Sequence, residues 1–201
     1  MNVQARFEVN GTLIFRTNTR MIWGDSSESL GCCLLLNPGS SLPLGYTEQK
    51  LIEKRIYEGQ AELDDTMKQI ARFVERISPG EPNGVFTIYN LFNLRNPESE
   101  DAIDHLRTKV LQGTVELEHS LAPITELNRH PWILLGWGCK QLSKIHPLQK
   151  IKKKWIERIE DSKLCYFGYQ NMKGDYYHPL PRGDKEEIIK QYILQYKKAI
   201  C

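Results

Sequence analysis

Leu34-Leu35-Leu36-Asn37-Pro38-Gly39-Ser40-Ser41 decides how the chain is read, because an apolar run stops abruptly there in a small polar loop. An apolar run bounded by turn residues fits a strand buried on both faces, as in a parallel sheet. Pro38 fixes one backbone angle and pushes Asn37 towards an extended conformation. Gly39 permits tight curvature and close approach of a ligand to the main chain. The backbone N–H groups of Gly39, Ser40 and Ser41 are then expected to converge with the Asn37 amide on one small volume. In an open α/β sheet that volume lies at the carboxyl end of a strand, where ligands bind. A strand followed by an ordinary turn is the plain alternative.

Working outward, further apolar runs end in similar fashion. Val85-Phe86-Thr87-Ile88-Tyr89 leads into Asn90-Leu91-Phe92-Asn93-Leu94-Arg95, and Trp132-Ile133-Leu134-Leu135 into Gly136-Trp137-Gly138-Cys139-Lys140. The short run Leu164-Cys165-Tyr166-Phe167 is followed by Tyr176-Tyr177-His178-Pro179-Leu180-Pro181-Arg182-Gly183. Between these runs, apolar residues recur at helical spacing over Thr47 to Tyr57, Glu62 to Ile77, Asp101 to Leu111, Val115 to Leu121 and Leu148 to Ile159. A final helix runs from a cap at Asp184 to about Ile200. Strands alternating with helices imply βαβ crossovers and a sheet with helices on both faces. The expected fold is a three-layer α/β/α sandwich with a central four-stranded, mostly parallel sheet, preceded by an N-terminal hairpin. In that hairpin Phe7 and Val9 alternate with polar residues, Asn10-Gly11 makes the turn, and Leu13 and Phe15 resume the alternation. The chain reads as one domain, with residues 1–23 as the hairpin extension, 24–183 as the core and 184–201 as the C-terminal helix.

Composition narrows the function classes. The 201 residues are 40% hydrophobic and 26% charged with a net charge of +2, so only a local patch would attract nucleic acid. No apolar run approaches the roughly 20 residues of a membrane span, and the first residues lack a secretory signal, so a cytoplasmic protein without a membrane partner is expected. The five cysteines contain no CxxC pair and are expected to be reduced core thiols, not metal ligands. No phosphate-loop or dinucleotide glycine fingerprint occurs, and neither a metal nor a cofactor is expected. Lys150, Lys152, Lys153 and Lys154 form either a solvated helix face or a phosphate-facing patch.

If the strand ends share one edge, Asn37, Asn90, Asn93, Arg95, Trp137, Lys140 and His178 rim one cleft. An asparagine amide can read the edge of a nucleobase. A histidine can donate to a carbonyl oxygen that gains charge as a bond breaks. An aromatic ring can stack on a base, which is the role open to Phe92 and Trp137. Asp64 and Asp65 stand at a helix start, where capping competes with a place in the site.

The order of these motifs resembles the uracil-DNA glycosylase superfamily over roughly Gly31 to Gly183. Leu36-Asn37-Pro38-Gly39 is similar to the loop that positions the attacking water in mismatch-specific and thymine-DNA glycosylases. Ile88-Tyr89-Asn90-Leu91-Phe92-Asn93-Leu94-Arg95 resembles the segment whose asparagine reads the flipped base. Leu135-Gly136-Trp137-Gly138 echoes the family's third strand end, and His178-Pro179-Leu180-Pro181 its last motif, whose histidine stabilises the departing base. The chain also resembles a bacterial and phage domain family of unknown function through Leu36 to Ser40, Asp64 to Thr66, Asn90 to Arg95, Trp137-Gly138 and His178 to Leu180.

The resemblance implies a DNA glycosylase-like protein that flips and excises a modified or mismatched base, with phage-modified bases among the candidates. Asn37 and His178 would be catalytic, and Pro38, Gly39, Ser40, Asn90, Phe92, Asn93, Arg95, Trp137 and Lys140 would hold the base. Ser41, Leu180 and Arg182 would meet the DNA backbone or fill the gap left by the base. The sequence departs from the pattern at Asn37, which replaces a carboxylate, and at Leu180, which replaces a serine. A non-catalytic nucleobase-binding or nucleotide-binding module and an enzyme on free modified nucleosides or nucleotides are the competing functions.

Overall fold

The computed structural model describes residues 1–96, 99–113, 116–139 and 146–200. Lys140 and Cys201 lie outside the described residues. In chain order the elements are β1 (Asn2–Asn10), β2 (Leu13–Trp23), β3 (Ser29–Leu35), α1 (Glu48–Lys54), β4 (Ile56–Gln60), α2 (Asp65–Ile77) and β5 (Gly84–Asn90). They continue with α3 (Ser99–Leu111), a 3₁₀ turn (Leu117–Ser120), α4 (Ile124–Leu127), β6 (Ile133–Leu135), α5 (His146–Ser162), β7 (Tyr166–Phe167) and α6 (Lys185–Ile200).

The molecule is a mixed α/β structure around one seven-stranded sheet of order β4-β1-β2-β5-β3-β6-β7. The expected four-stranded, mostly parallel sheet is not what forms. β5, β3, β6 and β7 pair in parallel, but β4, β1, β2 and β5 pair antiparallel, and antiparallel pairing carries most of the ladder. The hairpin is therefore no appendage. Its second strand runs on to Trp23 and bonds directly to β5, with Thr19 opposite Ile88 and Met21 opposite Phe86. β4 escapes the sequence reading because it is an edge strand with no buried side chain, and its first residues continue the helical spacing of α1. The hairpin turn is shifted by one residue from its expected place: Asn10 pairs with Leu13, so Gly11, at φ +62°, and Thr12 form the loop.

Both faces of the sheet are covered. On one side Phe7, Met21, Phe86, Ile88 and Leu134 pack against Phe73 of α2 and Ile188 and Tyr192 of α6. On the other side Cys32, Leu34, Ile133 and Leu135 pack against Leu148, Ile151, Trp155 and Ile159 of α5 and Leu106 of α3. Cys32 and Cys33 are core thiols as expected, whereas Cys165 is exposed. No helix among the described residues is long and apolar enough to cross a membrane.

A bulge in β2 sets which side chains enter the first layer. Gln4 faces Arg20 and Arg6 faces Thr17, so β2 carries an additional residue there, and Asn18 takes a positive φ of 49°. A bulge reverses the in-and-out phase of a strand and re-aims its side chains. Ile14 and Arg16 before it, and Thr19, Met21 and Trp23 after it, are all buried.

Trp132 lies against Gly31 of β3, whose φ is +131°; a Cβ at Gly31 would meet the Trp132 ring at 2.4 Å. Gly31→Ala therefore combines a strained backbone with overpacking and should cost at least about 2 kcal/mol, read as a lower midpoint in urea unfolding.

Candidate functional site

The carboxyl ends of β3, β5, β6 and β7 share one edge of the sheet because these strands run parallel. The loop after β3 is built from two directions. Pro38 is buried, Gly39 turns the chain at φ +68°, and the buried Ser41 donates its hydroxyl to Glu62 O at 2.8 Å. Arg95 then clamps the loop from below. Its Nε donates to Ser40 O at 3.2 Å and Ser41 O at 3.0 Å, its Nη2 to Ser40 O at 2.5 Å, and its Nη1 to Glu48 Oε1 at 2.5 Å. Arg95 is thus a positioning residue, its donors taken up by carbonyls and a carboxylate, and it does not face a ligand. Ser41 likewise holds the loop, while Ser40 is exposed. The Asn37 amide is turned aside, donating from Nδ2 to Asn96 O at 2.9 Å.

Asp64 is the residue on which the site converges. Its Oδ1 accepts from Met67 N at 2.8 Å and caps α2, as the sequence led one to expect. Its Oδ2 accepts no hydrogen bond among the described residues. That oxygen lies 3.8 Å from Nη1 of Arg16 and would be 3.8 Å from a Cβ at Gly39. Asp65, by contrast, is exposed and pairs with Lys68 at 2.9 Å, so only one of the two adjacent carboxylates belongs to the site.

His178 stands in the loop after β7, against Gly138 and within range of the Asp64 charge. Its backbone is docked by Tyr192, whose hydroxyl donates to Tyr177 O at 2.5 Å, and by Pro179, which packs over Gly136. Nδ1 lies 3.1 Å from the Leu180 N–H and 3.3 Å from Leu180 O, so the Leu180 backbone meets this nitrogen in either tautomer. Burial holds the imidazole below its ordinary pKa, with the Leu180 backbone and the Asp64 charge pulling the other way. His178 is therefore a neutral imidazole. Leu180 acts through this hydrogen bond, and Arg182, just ahead of α6, is exposed.

Asn90 ends β5 with only 3% of its surface exposed, and its Oδ1 has no hydrogen-bond partner among the described residues. It stands in phase with Phe86 and Ile88, on the sheet face that carries Arg16. Arg16 was not singled out by sequence reasoning. Its signal was a cation in phase with Ile14 inside an apolar strand, masked by the alternation of Leu13 and Phe15 on the opposite face.

Other expected residues are placed elsewhere. Phe92 is buried among the side chains packed on α5, so it offers no ring to a ligand. Trp137 is buried too, with Nε1 donating to Asp175 Oδ1 at 3.2 Å and its ring edge-on to Tyr176. Both aromatic residues are core, because the sheet is covered on that side. Asn93 lines a cavity of about 500 Å³ beside Phe15 and Phe92 and, together with Asn90, one of about 210 Å³ beside Thr17, Tyr89 and Glu126. Of the lysines on α5, Lys152 pairs with Asp175 at 2.5 Å, Lys154 with Glu118 and Lys153 with Glu157 at 3.6 Å.

No family model, curated protein or solved structure matches this chain.

The state of His178 gives a signed pH dependence. With a folded pKa below the usual value of about 6.5, the unfolded chain takes up the proton first as pH falls. Stability is thus undiminished above about pH 6.5 and declines beneath it. His130, also held low by burial, adds to the same decline. In urea unfolding, His178→Gln should remove part of the loss between neutral pH and about pH 5 and leave the His130 share.

Proposed function

We propose that the carboxyl edge of the parallel strands binds a nucleobase still joined to its sugar and hydrolyses the N-glycosyl bond between them. The observation that carries the reading is the Asp64 carboxylate, whose Oδ2 stands at the Gly39 loop 3.8 Å from Arg16 Nη1 and whose charge acts on the buried imidazole of His178. Hydrolysis of this bond needs a water made nucleophilic on one side and a stabilised leaving base on the other. Asp64 Oδ2 takes the proton of a water as its oxygen bonds to the sugar carbon. The bond from that carbon to the base nitrogen breaks, and the Nε2–H of His178 donates to the base oxygen that gains the charge. The proton held by Asp64 then passes to the departing base. Asn90 reads the base edge through its amide, whose Oδ1 has no partner among the described residues. Asp64 thereby supplies the carboxylate that Asn37 lacks, and Asn37 is left to shape the loop through Asn96.

The resemblance in the motifs favours DNA as the carrier of the base, with the nucleotide flipped into the cleft at an unstacking cost of a few kcal/mol. One observation favours a second carrier, a free nucleotide. The α5 lysines that would face a DNA backbone are engaged, Lys152 by Asp175 and Lys154 by Glu118.

The test is to incubate the protein with natural and phage-modified DNAs and with free nucleosides and nucleotides, and to detect released bases by mass spectrometry. Base release is expected from at least one class. His178→Ala should lower its rate about 10²–10³-fold with little change in binding, because the donor acts on charge that develops in the transition state. Asp64→Asn keeps a capping side chain on α2 but lowers the rate about 10²–10⁴-fold. Saturable binding without base release from any class would make the cleft a non-catalytic binding module.

A further inference from the structure

The cavity of about 210 Å³ beside β5 has on its wall a carboxylate that the fold holds in place without neutralising it. Glu126 of α4 accepts from the Tyr89 hydroxyl through Oε1 at 2.7 Å, and its Oε2 accepts no hydrogen bond among the described residues. A carboxylate only accepts, so Tyr89 gives its one proton to Glu126 and takes a hydrogen bond from Nε2 of His130 at 2.8 Å. Nδ1 of His130 meets the Ser29 hydroxyl at 2.7 Å. Burial and then the bond to Glu126 raise the Tyr89 pKa, and burial lowers that of His130, so neither group brings a charge at neutral pH. Side chains from β3, β5 and the segment after α4 thus fix one carboxylate.

The cavity wall does not answer that charge. No lysine or arginine lines it, and Arg20, near enough to act on Tyr89, is not on the wall. His119 is on the wall but lies 3.2 Å from Glu116. The lining also includes the amides of Asn90 and Asn93 and the hydroxyl of Thr17. A cavity of about 150 Å³ is enough to hold a benzene ring. At about 210 Å³ this one has room for a nucleobase. The larger cavity shares Thr17 and Asn93 with it and leaves space for an attached sugar.

We infer that this cavity takes the base of the substrate and that Glu126 selects a base with two adjacent N–H donors, guanine or a modified form of it. This rests on the proposed role of Asn90 as the base reader, but not on bond cleavage. At its pairing edge guanine offers N1–H and an exocyclic N2–H side by side, a fork that matches a carboxylate. Its O6 accepts from an asparagine amide. Uracil and thymine offer one N–H between two carbonyl oxygens. Adenine and cytosine offer an amino group beside a bare ring nitrogen. Each of these sets an acceptor against the carboxylate, and a polar group left unpaired in such a site is costly. Glu126 is thereby a specificity residue, with Tyr89 and His130 as positioning residues behind it.

The first arm of the experiment needs no variant. Calorimetry on the wild-type protein compares guanosine with inosine, which lacks only the 2-amino group, and with uridine. Guanosine should bind at least about tenfold tighter than either, the factor expected of a hydrogen bond to a charged group. Methylguanidinium carries the same donor fork without a ring and should bind more weakly than guanosine. In the second arm, Glu126→Gln keeps an acceptor for Tyr89 and the side-chain shape, and should bring guanosine down to the inosine level. No guanosine binding, equal binding of guanosine and inosine, or methylguanidinium binding as tightly as guanosine would overturn the inference. So would an unchanged preference for guanosine in Glu126→Gln. The two readings fail separately. Guanosine binding with no base released from any substrate sinks only the hydrolysis, and release of uracil or thymine in preference to guanine sinks only the selection by Glu126.

Discussion

The antiparallel pairing of β2 with β5 is the constraint on which the rest depends. It fuses the hairpin to the parallel strands and turns two motifs into one sheet. Beyond the paired residues the contact continues, since Arg16 N donates to Asn93 O at 2.9 Å and Arg95 N to Ile14 O at 2.8 Å. Those bonds bring the cation-bearing part of β2 beside the carboxyl end of β5. The bulge at Asn18 then turns Arg16 inward with Ile14, where an unbroken alternation in phase with Met21 would turn it to the opposite face. A charge enters the core only because strand pairing and bulge act together.

Electrostatic order in the site follows from that geometry. Arg16, Arg95, Asp64 and Glu48 form two cation–carboxylate pairs of unequal quality, one at 3.8 Å and the other at 2.5 Å. His178 adds no charge at neutral pH, because burial outweighs the Leu180 backbone and the Asp64 charge and holds its pKa below the usual value. The site combines a donor, a carboxylate and a partly compensated cation in little water. In such surroundings each interaction is stronger than it would be on the surface.

Much of the parallel half was legible in the sequence. The runs ending at Leu36, Tyr89, Leu135 and Phe167 became β3, β5, β6 and β7, and Asp64 and Asp184 cap helices as their chemistry suggests. The antiparallel half was only partly legible. β4 has no apolar alternation, and a bulge leaves no clear mark in composition, so Arg16 stayed hidden. Phe92 and Trp137 were assigned to the cleft from their motif positions. Their burial depends on α5, α3 and Tyr176 closing over them, which local spacing does not encode. Asn37 was assigned the water for a similar reason, and its contact with Asn96 is set by a segment far along the chain.

The clamp made by Arg95 also bears on the entropy of binding. A glycine-containing loop at a strand end ordinarily samples many conformations and loses them when a ligand arrives. Here the carbonyls of Ser40 and Ser41 are tied to a side chain from beside β5, which is itself tied to Glu48 on α1. The loop has therefore met its ordering cost during folding. A ligand entering such a rigid frame gains affinity from contacts made, with little free energy diverted to arranging the frame.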